Sequence, residues 1–435
     1  MSNYQKQLEH YFDKLWPLNR SITGPGYRKS LDILSGIMPT ERLKFESGQK
    51  VFDWTVPEEW VVNNAYIIDP SGKKYADFKK NNLHVVGYSE PINEKISLKE
   101  LKEHLYTLPD KPEAIPYVVS YYNKTWGFCI PYNDYVKLSE GEYKVYIDSK
   151  HYPGHVECGE AVLQGETDEE IFLSTYLCHP SMANNELSGP LVMAFLFDKL
   201  SKLPRRRYTY RFVIVPETIG AICYLTKRGK HLKQKMVAGY QMTCLGDNGC
   251  FTYKYSRDSN TLADRAVLIV LKDHEKYKTY PFNPGDGTDE RQYCSPGFNL
   301  PVGSLMRTPY AKYEEYHTSL DNKDFISFDA IERSIDTYFQ VIKTLEYNIT
   351  WLRTMPYCEP QLGKRGLYPS VSSEFRLEDL LEARMWILNL ADGKYDLIEI
   401  AEKSNFSIEL LIENANILFN AGLIKPADCL SPIFS

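Results

Sequence analysis

The chain has 435 residues, of which 43% are hydrophobic and 25% charged, and its formal net charge is −6. This length allows two or three domains around a large core, and the composition is that of an ordinary globular protein. The negative charge argues against the basic footprint of a nucleic-acid-binding protein and against a polybasic membrane surface.

Targeting segments and structural disulfides are not expected from this sequence. The first twelve residues, MSNYQKQLEHYF, lack the apolar region of a secretory signal. No apolar run approaches the ~20 residues of a membrane helix. The nine cysteines are scattered and form no CxxC pair. We therefore expect reduced thiols, no membrane partner and a cytoplasmic location.

The first 151 residues divide into two parts of different character. Residues 1–45 are predicted to be helical around the tight turn RSITGPGY, which has two glycines beside a proline. Arg20 opens this turn, either as a substrate anchor or as a structural salt-bridge partner. From 46 to 151 the hydrophobic period falls toward two, and turn signals such as PSGK and SEGE separate short segments. This pattern predicts a β-rich domain.

The segment 152–348 alternates strands with helices, as a parallel sheet with crossover helices does. The predicted strands cover residues 171–178, 208–215, 236–245, 266–271 and 300–306. The first of them, IFLSTYLC, is a near-continuous apolar run, which is typical of a strand buried on both faces. Polar residues that follow such strands lie at the edge where open α/β sheets bind ligands.

The C-terminal part is predicted to be a compact helical unit after a proline- and glycine-rich linker. Helix–turn–helix spacing followed by a short GLIKP strand indicates a winged helix. Its candidate recognition helix, SIELLIENANILFNAG, contains Glu409 and Glu413 but no lysine or arginine. Because phosphate contacts dominate DNA affinity, we expect no nucleic-acid partner. A packing, dimerisation or partner role remains, and a homo-oligomer stays open.

Polar side chains follow three of the predicted strands. They are His179, Glu217 and Asp247, and a fourth group surrounds His317 in YEEYHTSLDN. Histidines and carboxylates that converge on one point are the usual ligands of zinc hydrolases. The alternative for a lone histidine at a strand end is a hydrogen-bonded structural role.

The order of four short motifs resembles the pattern of the co-catalytic zinc aminopeptidases. The motifs are His179, ANNELSG at 183–189, PETIG at 216–220 and YHTSLD at 316–321. Over nearly the whole chain, the phrases NRSITGPGYR, TYLCHPSMAN, VPETIGAI and GTDERQYC resemble a bacterial family with an aminopeptidase-like domain.

This resemblance implies an α/β fold with three parts. A mostly parallel, zinc-aminopeptidase-like sheet flanked by helices is expected from residues 1–45 and 152–348. A β-rich domain is inserted at 46–151, and a winged-helix domain closes the chain at 355–435.

The chain departs from the aminopeptidase pattern at three metal ligands. Asn185 stands where a carboxylate bridges two zinc ions, Thr218 replaces the second glutamate of a pair, and Gln241 replaces a strand aspartate. A neutral amide is a poor zinc ligand beside histidine or carboxylate. The expected cofactor is therefore one zinc ion at most.

The resemblance also implies a role for each matching side chain. His179 and His317 would supply nitrogen ligands, Glu186 or Asp247 an oxygen, and Glu217 the general base. Substrate binding is assigned to Asn185, Asp289 and Arg20, although Asp289 could equally be a turn residue.

Two functions follow from these assignments. The first is hydrolysis of an amide bond, at an amino-terminal residue or in a small acylated molecule. The alternative is a catalytically inactive scaffold that binds a small ligand or a protein partner, because a peptidase-like fold does not by itself imply peptidase chemistry.

Overall fold

The structure is a computed structural model that describes residues 2–368 and 375–427. The predicted winged-helix range therefore lies partly outside the described residues, at 369–374 and 428–435. Within the described ranges, no helix is both long enough and apolar enough to cross a membrane.

The described residues form twelve α-helices and one turn of π-helix. The helices are α1 (Asn3–Leu15), α2 (Pro25–Leu34), α3 (Leu98–Glu103), α4 (Tyr132–Tyr135), α5 (Ser188–Ser201), α6 (Ile219–Lys235), α7 (Leu262–Leu271), α8 (Glu290–Tyr293), α9 (Phe328–Tyr347), α10 (Phe375–Leu390), α11 (Leu397–Ser404) and α12 (Ile408–Asn420). The π-helical turn, Ala183–Leu187, directly precedes α5.

The strands of the described residues make up one large sheet and several small ones. They are β1 (Glu41–Glu46), β2 (Lys50–Val51), β3 (Trp54–Thr55), β4 (Glu59–Ile68), β5 (Lys74–Tyr75), β6 (Ile92–Ser97), β7 (Leu105–Tyr106), β8 (Phe128–Cys129), β9 (Glu142–Tyr152), β10 (His155–Leu163), β11 (Glu170–Tyr176), β12 (Thr209–Val215), β13 (Met236–Gln241), β14 (Phe251–Lys254), β15 (Tyr277–Tyr280), β16 (Val302–Met306), β17 (Trp351–Arg353) and β18 (Ile424–Pro426).

The central layer is an eight-stranded sheet in the order β1-β10-β12-β11-β13-β16-β14-β15. Strands β12, β11, β13 and β16 run parallel to one another, and β14 and β15 form a further parallel pair. Antiparallel strands β1 and β10 extend one edge. The predicted α/β class, with a mostly parallel sheet between helices, is confirmed.

Strand β11 is buried on both faces, as its apolar run predicts. All seven of its residues are buried. Ile171 and Leu173 pack into a core that also contains α1, α5 and α9, whereas Phe172 points into a second core with Tyr224 of α6. Because β11 is held between two cores, the residues that directly follow it have a fixed position.

Two predictions about local structure were wrong. Residues 266–271, AVLIVL, belong to helix α7 and not to a strand. A short apolar run does not distinguish a buried strand from a buried helix. Here the capping box of Thr261 with Asp264 starts a helix. In the first segment, which was predicted to be helical, Glu41–Glu46 forms β1 and pairs with β10.

The β-rich segment has its own four-stranded antiparallel sheet in the order β5-β4-β9-β6. Val145 and Ile147 of β9 belong to the same buried cluster as Phe172 and Tyr224. The segment is therefore packed against the α6 side of the central sheet. Its predicted limits at 46 and 151 stay predictions.

The C-terminal unit consists of α10, α11 and α12 with the antiparallel pair β17–β18. The short strand predicted in GLIKP is confirmed as β18. Arg265 of α7 forms ion pairs with Asp396, at 3.3 Å, and with Glu402, at 3.1 Å. Apolar residues of α12 such as Leu411 join the core that contains α9. The unit is docked on the α/β part.

A buried network of charges ties β10, β11, β12 and α6 together. Glu160 accepts hydrogen bonds from Arg211 at 2.7 Å, Arg228 at 2.6 Å and the Tyr224 hydroxyl at 2.6 Å. Arg211 also pairs with Glu170 at 2.7 Å. Glu160 and Arg211 have side chains only 3% and 8% exposed. Removing the Glu160 charge leaves Arg228 without its carboxylate and Arg211 with Glu170 alone.

We expect Glu160→Gln to destabilise the protein by about 3 kcal/mol, because two guanidinium groups lose their shared carboxylate. The matched control is Glu166→Gln. Glu166 also pairs with an arginine, Arg205 at 2.6 Å, but its side chain is 34% exposed. That change should cost less than about 1 kcal/mol. Thermal unfolding midpoints measure both, and equal shifts would contradict the assignment.

Candidate metal centre

His179 lies just beyond the C-terminal end of β11 and is 3% exposed. Arg20 is 1% exposed and donates from Nε to the His179 carbonyl oxygen at 3.1 Å. Its Nη1 donates to the Leu15 carbonyl oxygen at 2.6 Å. The structure thus places Arg20 against the main chain, where it fixes the backbone of the first histidine.

The His179 ring lies between two carboxylates. Its Nδ1 is 2.6 Å from Glu186 Oε2, and its Nε2 is 3.5 Å from Glu217 Oε2. Burial lowers the pKa of His179, but the neighbouring Tyr117, Cys178 and Glu186 together raise that pKa well above its usual range. Burial also raises the pKa of Glu217, against the opposing charge of His179. The ring therefore lies between two carboxylates, one near each nitrogen, and these carboxylates favour its protonated form.

His317 is brought next to His179 from a distant loop. The two ring centroids are 5.4 Å apart, although 137 residues lie between the two histidines in the sequence. Tyr316 stacks on the His317 ring at 3.9 Å. Burial, and secondarily the charge on His179, lower the pKa of His317 to about 3. The lowered pKa favours neutral His317, in which one ring nitrogen keeps a lone pair for a metal.

The turn Ala183–Leu187 is held by Asp321. The Asp321 carboxylate accepts the backbone N–H of Asn184 at 2.6 Å and of Asn185 at 2.9 Å. Burial raises the pKa of Asp321 to about 6, and these hydrogen bonds oppose the shift. Asn185 Oδ1 accepts from the Tyr176 hydroxyl at 3.3 Å. The neutral amide that replaces the bridging carboxylate is therefore part of the protein's own hydrogen bonding.

The structure places Asp247 within a loop network. Its Oδ1 accepts from Gly249 N and Thr308 Oγ1, both at 2.6 Å. Its Oδ2 accepts from Asn184 Nδ2 at 3.0 Å and Thr308 N at 3.1 Å. Among the described residues it has no hydrogen bond or ion pair with either histidine. Each carboxylate oxygen of Asp247 accepts two hydrogen bonds. Neither oxygen is therefore free for the metal-ligand role predicted for Asp247.

Asp289 lies beside the Glu217–Thr218 segment. Its Oδ1 accepts the Thr218 backbone N–H at 2.6 Å, while its buried Oδ2 has no hydrogen-bond partner. Burial, and then repulsion from Glu217, raise the pKa of Asp289 well above its usual range. Thr218 has a φ of 63°, an uncommon value for a threonine. Asp289 therefore supports a strained segment next to Glu217.

The donor set fits one metal ion. Two ligand atoms on a tetrahedral zinc with bonds of about 2.0–2.1 Å lie about 3.4 Å apart. The 3.5 Å gap between His179 Nε2 and Glu217 Oε2 matches that spacing, whereas 2.6 Å at Nδ1 is a hydrogen bond. Glu186 also keeps a buried Oε1 without a partner. His179 with Glu217 or Glu186 can therefore offer ligands to one ion, and His317 is the next imidazole, with its ring centroid 5.4 Å from that of His179.

A second ion lacks ligands of its own. Gln241 is an amide and not a carboxylate, and neither of its buried amide atoms has a hydrogen-bond partner among the described residues. Cys178, His179 and Glu186 are the only group of three such side chains, in the ranges that the structure describes, with donor atoms within 4.8 Å of one another. The Cys178 sulfur already accepts the Glu217 backbone N–H at 3.3 Å.

Comparison with solved structures identifies the class of this fold. A crystal structure of a Clostridium acetobutylicum protein named as a peptidase is similar, with a TM-score of 0.91, 42% identity and coverage of 97% of this chain and 96% of that one. A zinc aminopeptidase from Bacillus subtilis aligns at a TM-score of 0.55 with 11% identity, covering 78% of this chain and 94% of the other. The α/β part has the aminopeptidase-like fold.

The chain belongs to the family described as a domain of unknown function (DUF4910), whose model matches residues 9–348. A winged helix-turn-helix model matches residues 349–426. A C. acetobutylicum relative, named for polysaccharide biosynthesis and an aminopeptidase-like domain, is 43% identical over 422 residues, 96% of each chain. The predicted aminopeptidase-like family with a C-terminal winged helix is confirmed.

Sequence reasoning missed two residues of this centre. Tyr117, from the β-rich segment, has its ring centroid 5.0 Å from that of His179 and 5.2 Å from that of His317. Asp321 was noted only as a neighbour of His317. No sequence pattern marks either residue, because the contacts depend on how separate segments pack.

The lowered pKa of His317 gives a prediction for metal-free protein. An unfolded histidine binds a proton below about pH 6.5, whereas folded His317 does so only near pH 3. Between these two pH values the unfolded state binds the proton and the folded state does not. As the pH falls, His317 therefore lowers the free energy of unfolding by about 1 kcal/mol per pH unit. His317→Asn should lose less stability than wild type between pH 6.5 and 4.

Urea unfolding of chelator-treated protein over this pH range measures the effect. His10→Asn, at an exposed position of α1, is the control and should follow wild type throughout. Parallel pH profiles for wild type and His317→Asn would show that His317 is protonated normally in the folded protein.

Proposed function

We propose that this protein hydrolyses an amide bond with one zinc ion bound between His179 and His317. The observation that carries the proposal is the closeness of three groups at the C-terminal edge of a parallel sheet: the two imidazole centroids are 5.4 Å apart, and Glu217 Oε2 lies 3.5 Å from His179 Nε2. Ligand sites of open α/β sheets lie at this edge.

The zinc would supply a polarised carbonyl and a water of lowered pKa. The chain's own residues do the rest. Glu186 holds His179 Nδ1 at 2.6 Å and so directs Nε2 toward Glu217. Glu217 Oε2 is the base that takes the proton of the attacking water. Asp289 steadies Glu217 by binding the next backbone N–H, at Thr218.

A catalytically inactive scaffold is the second candidate, and a specific observation favours it. Three positions that bind metal in co-catalytic aminopeptidases carry Asn185, Thr218 and Gln241. Both ring nitrogens of His179 also face carboxylates of this chain. In that case the pocket would bind a small ligand or a protein partner. Zinc analysis of protein purified without chelators separates the two candidates.

The substrate class proposed is an amide at an amino terminus or in a small acylated molecule. The buried position of His179 supports a small reacting group, because this residue is only 3% exposed. The name of the 43% identical relative adds support for an amide carried by a glycan or a glycan precursor.

We expect Glu217→Gln to lower amide turnover by at least about 10²-fold, the usual contribution of a general base. Zinc content should stay near one per chain, because His179, His317 and Glu186 remain to hold the ion when Glu217 loses its charge. His179→Ala should lower both turnover and zinc content. Metal analysis and a panel of aminoacyl and N-acyl amides measure the two effects.

Loss of zinc in Glu217→Gln would make Glu217 a ligand, and undiminished turnover would remove it from the mechanism. Two zinc ions per chain would refute the single-site assignment. Wild type without zinc and without turnover would leave the scaffold as the function.

The winged helix is proposed to serve in packing and not in DNA binding. In helix–turn–helix proteins the N-terminal residues of the recognition helix contact base edges. Here that end of α12 is turned inward, since Ile408 and Ile412 are buried. Together with Glu409 they face Val270 of α7 and Thr344 of α9 across a small cavity. One face of this end of α12 is therefore packed on α7 and α9, whereas the exposed side chains Glu409 and Glu413 are acidic.

We expect the full-length protein to give no gel shift with double-stranded DNA at about 50 mM salt, where phosphate contacts are strongest. Glu409→Lys with Glu413→Lys is the matched variant, and it should remain inactive because α12 is docked. Binding by wild type that weakens steeply with salt would overturn this assignment.

A further inference from the structure

The β-rich segment reaches the metal centre through a main-chain clasp with the loop that carries His317. Tyr117 N donates to the His317 carbonyl oxygen at 2.9 Å. Ser319 N donates to the Ile115 carbonyl oxygen at 2.9 Å, and Ser319 Oγ accepts from Ile115 N at 2.9 Å. Pro116 and Thr318 complete an antiparallel bridge. Two segments nearly 200 residues apart in sequence thus share a short piece of sheet.

The clasp holds His317 in an uncommon backbone conformation. Its φ is 53°, in the left-handed region that is sparsely populated by residues other than glycine. Such a conformation costs of order 1–3 kcal/mol and persists only where the surroundings impose it. The hydrogen bond from Tyr117 to the His317 carbonyl is one of those restraints.

The Tyr117 ring completes the arrangement on the side-chain level. Its centroid is 5.0 Å from that of His179 and 5.2 Å from that of His317, and the two histidine centroids are 5.4 Å apart. The three rings form a nearly equilateral triangle at the distances that aromatic pairs prefer. Tyr316 stacks on His317 at 3.9 Å. His317 therefore has one tyrosine stacked on it and a second tyrosine edge-on at 80°.

The hydroxyl of Tyr117 points elsewhere. It lies 3.3 Å from the hydroxyl of Tyr121, which also belongs to the β-rich segment. No hydrogen bond joins it to either histidine among the described residues. Any effect of Tyr117 on the histidines must therefore come from its ring and its backbone N–H.

We propose that Tyr117 is a positioning residue of the metal centre, which sets the spacing and orientation of His179 and His317. The β-rich segment is then required for the metal site and is not an independent appendage. Residues that orient metal ligands from outside usually contribute 10–100-fold to metal affinity. This inference rests on the proposed metal site, but its test does not need a substrate.

The experiment is a titration of chelator-treated full-length protein with Co²⁺, followed by its visible absorption, and a Zn²⁺ competition for affinity. Tyr117→Ala should weaken Zn²⁺ binding by about 10–100-fold and change the Co²⁺ spectrum, because the two imidazoles lose their spacer. Tyr117→Phe keeps the ring and the backbone N–H, and it should bind both metals as wild type does.

Tyr132→Ala is the matched control. Tyr132 is a half-buried tyrosine of the same segment that stacks on Tyr135 at 6.0 Å and contacts neither histidine. If Tyr117→Ala does not fold, Tyr117→Leu keeps apolar bulk without the ring, and it should show the same loss of affinity and altered spectrum.

Three results would be decisive against the proposals. Wild-type affinity and spectrum in both Tyr117→Ala and Tyr117→Leu would overturn the positioning role. Tyr117→Phe as weak as Tyr117→Ala would overturn it too, by placing the effect in the hydroxyl. Wild type that binds neither Co²⁺ nor Zn²⁺ would instead refute the metal site itself.

Discussion

The buried carboxylate of Asp321 is the interaction on which this centre depends. It receives the backbone N–H groups of Asn184 and Asn185, so it joins the loop of His317 to the turn that follows His179. Burial opposes its charge, and two short hydrogen bonds from fixed amides offset part of that cost. The same two segments are also joined by a backbone hydrogen bond from Ala183 N to the Asp321 carbonyl oxygen, at 3.0 Å.

Charge balance explains why the centre suits one cation. His179 stands between Glu186 and Glu217, which can balance a proton on the ring or a single metal ion beside it. A second dication would bring strong repulsion into a partly dry pocket, where a bridging carboxylate normally offsets it. Asn185 has no charge to do so, and it is already hydrogen-bonded by Tyr176. The proposal of a single ion rests on this neutral side chain.

The two additional parts of the chain differ in their relation to the site. The β-rich segment contributes Tyr117 and a backbone clasp directly at the histidines. The C-terminal unit is attached to the opposite core through α7 and α9, with Arg265 as its main ionic contact. The β-rich segment therefore contacts the site directly, whereas the C-terminal unit packs on the helices α7 and α9.

The sequence by itself determined the scaffold and the identity of the histidines. A strand as apolar as residues 171–178 must be buried on both faces, and the carboxyl ends of neighbouring parallel strands meet at one edge. His179 and Glu217 were found in this way. The run at 266–271 was misassigned because its apolar pattern is compatible with either a helix or a strand, and only the cap at Thr261 decides.

Only the tertiary structure decided which partner each polar side chain is hydrogen-bonded to. Asp247 accepts hydrogen bonds from Thr308 and Gly249, and Glu186 is hydrogen-bonded to Nδ1 of His179. A carboxylate looks the same in sequence whether it binds a metal, an imidazole or a loop. Its partner is set by which donors lie within about 3 Å after folding, and hydrogen bonds act only over that range. Tyr117 could not be found from sequence for the same reason, since it contacts His179, 62 positions later in the chain, and His317, 200 positions later.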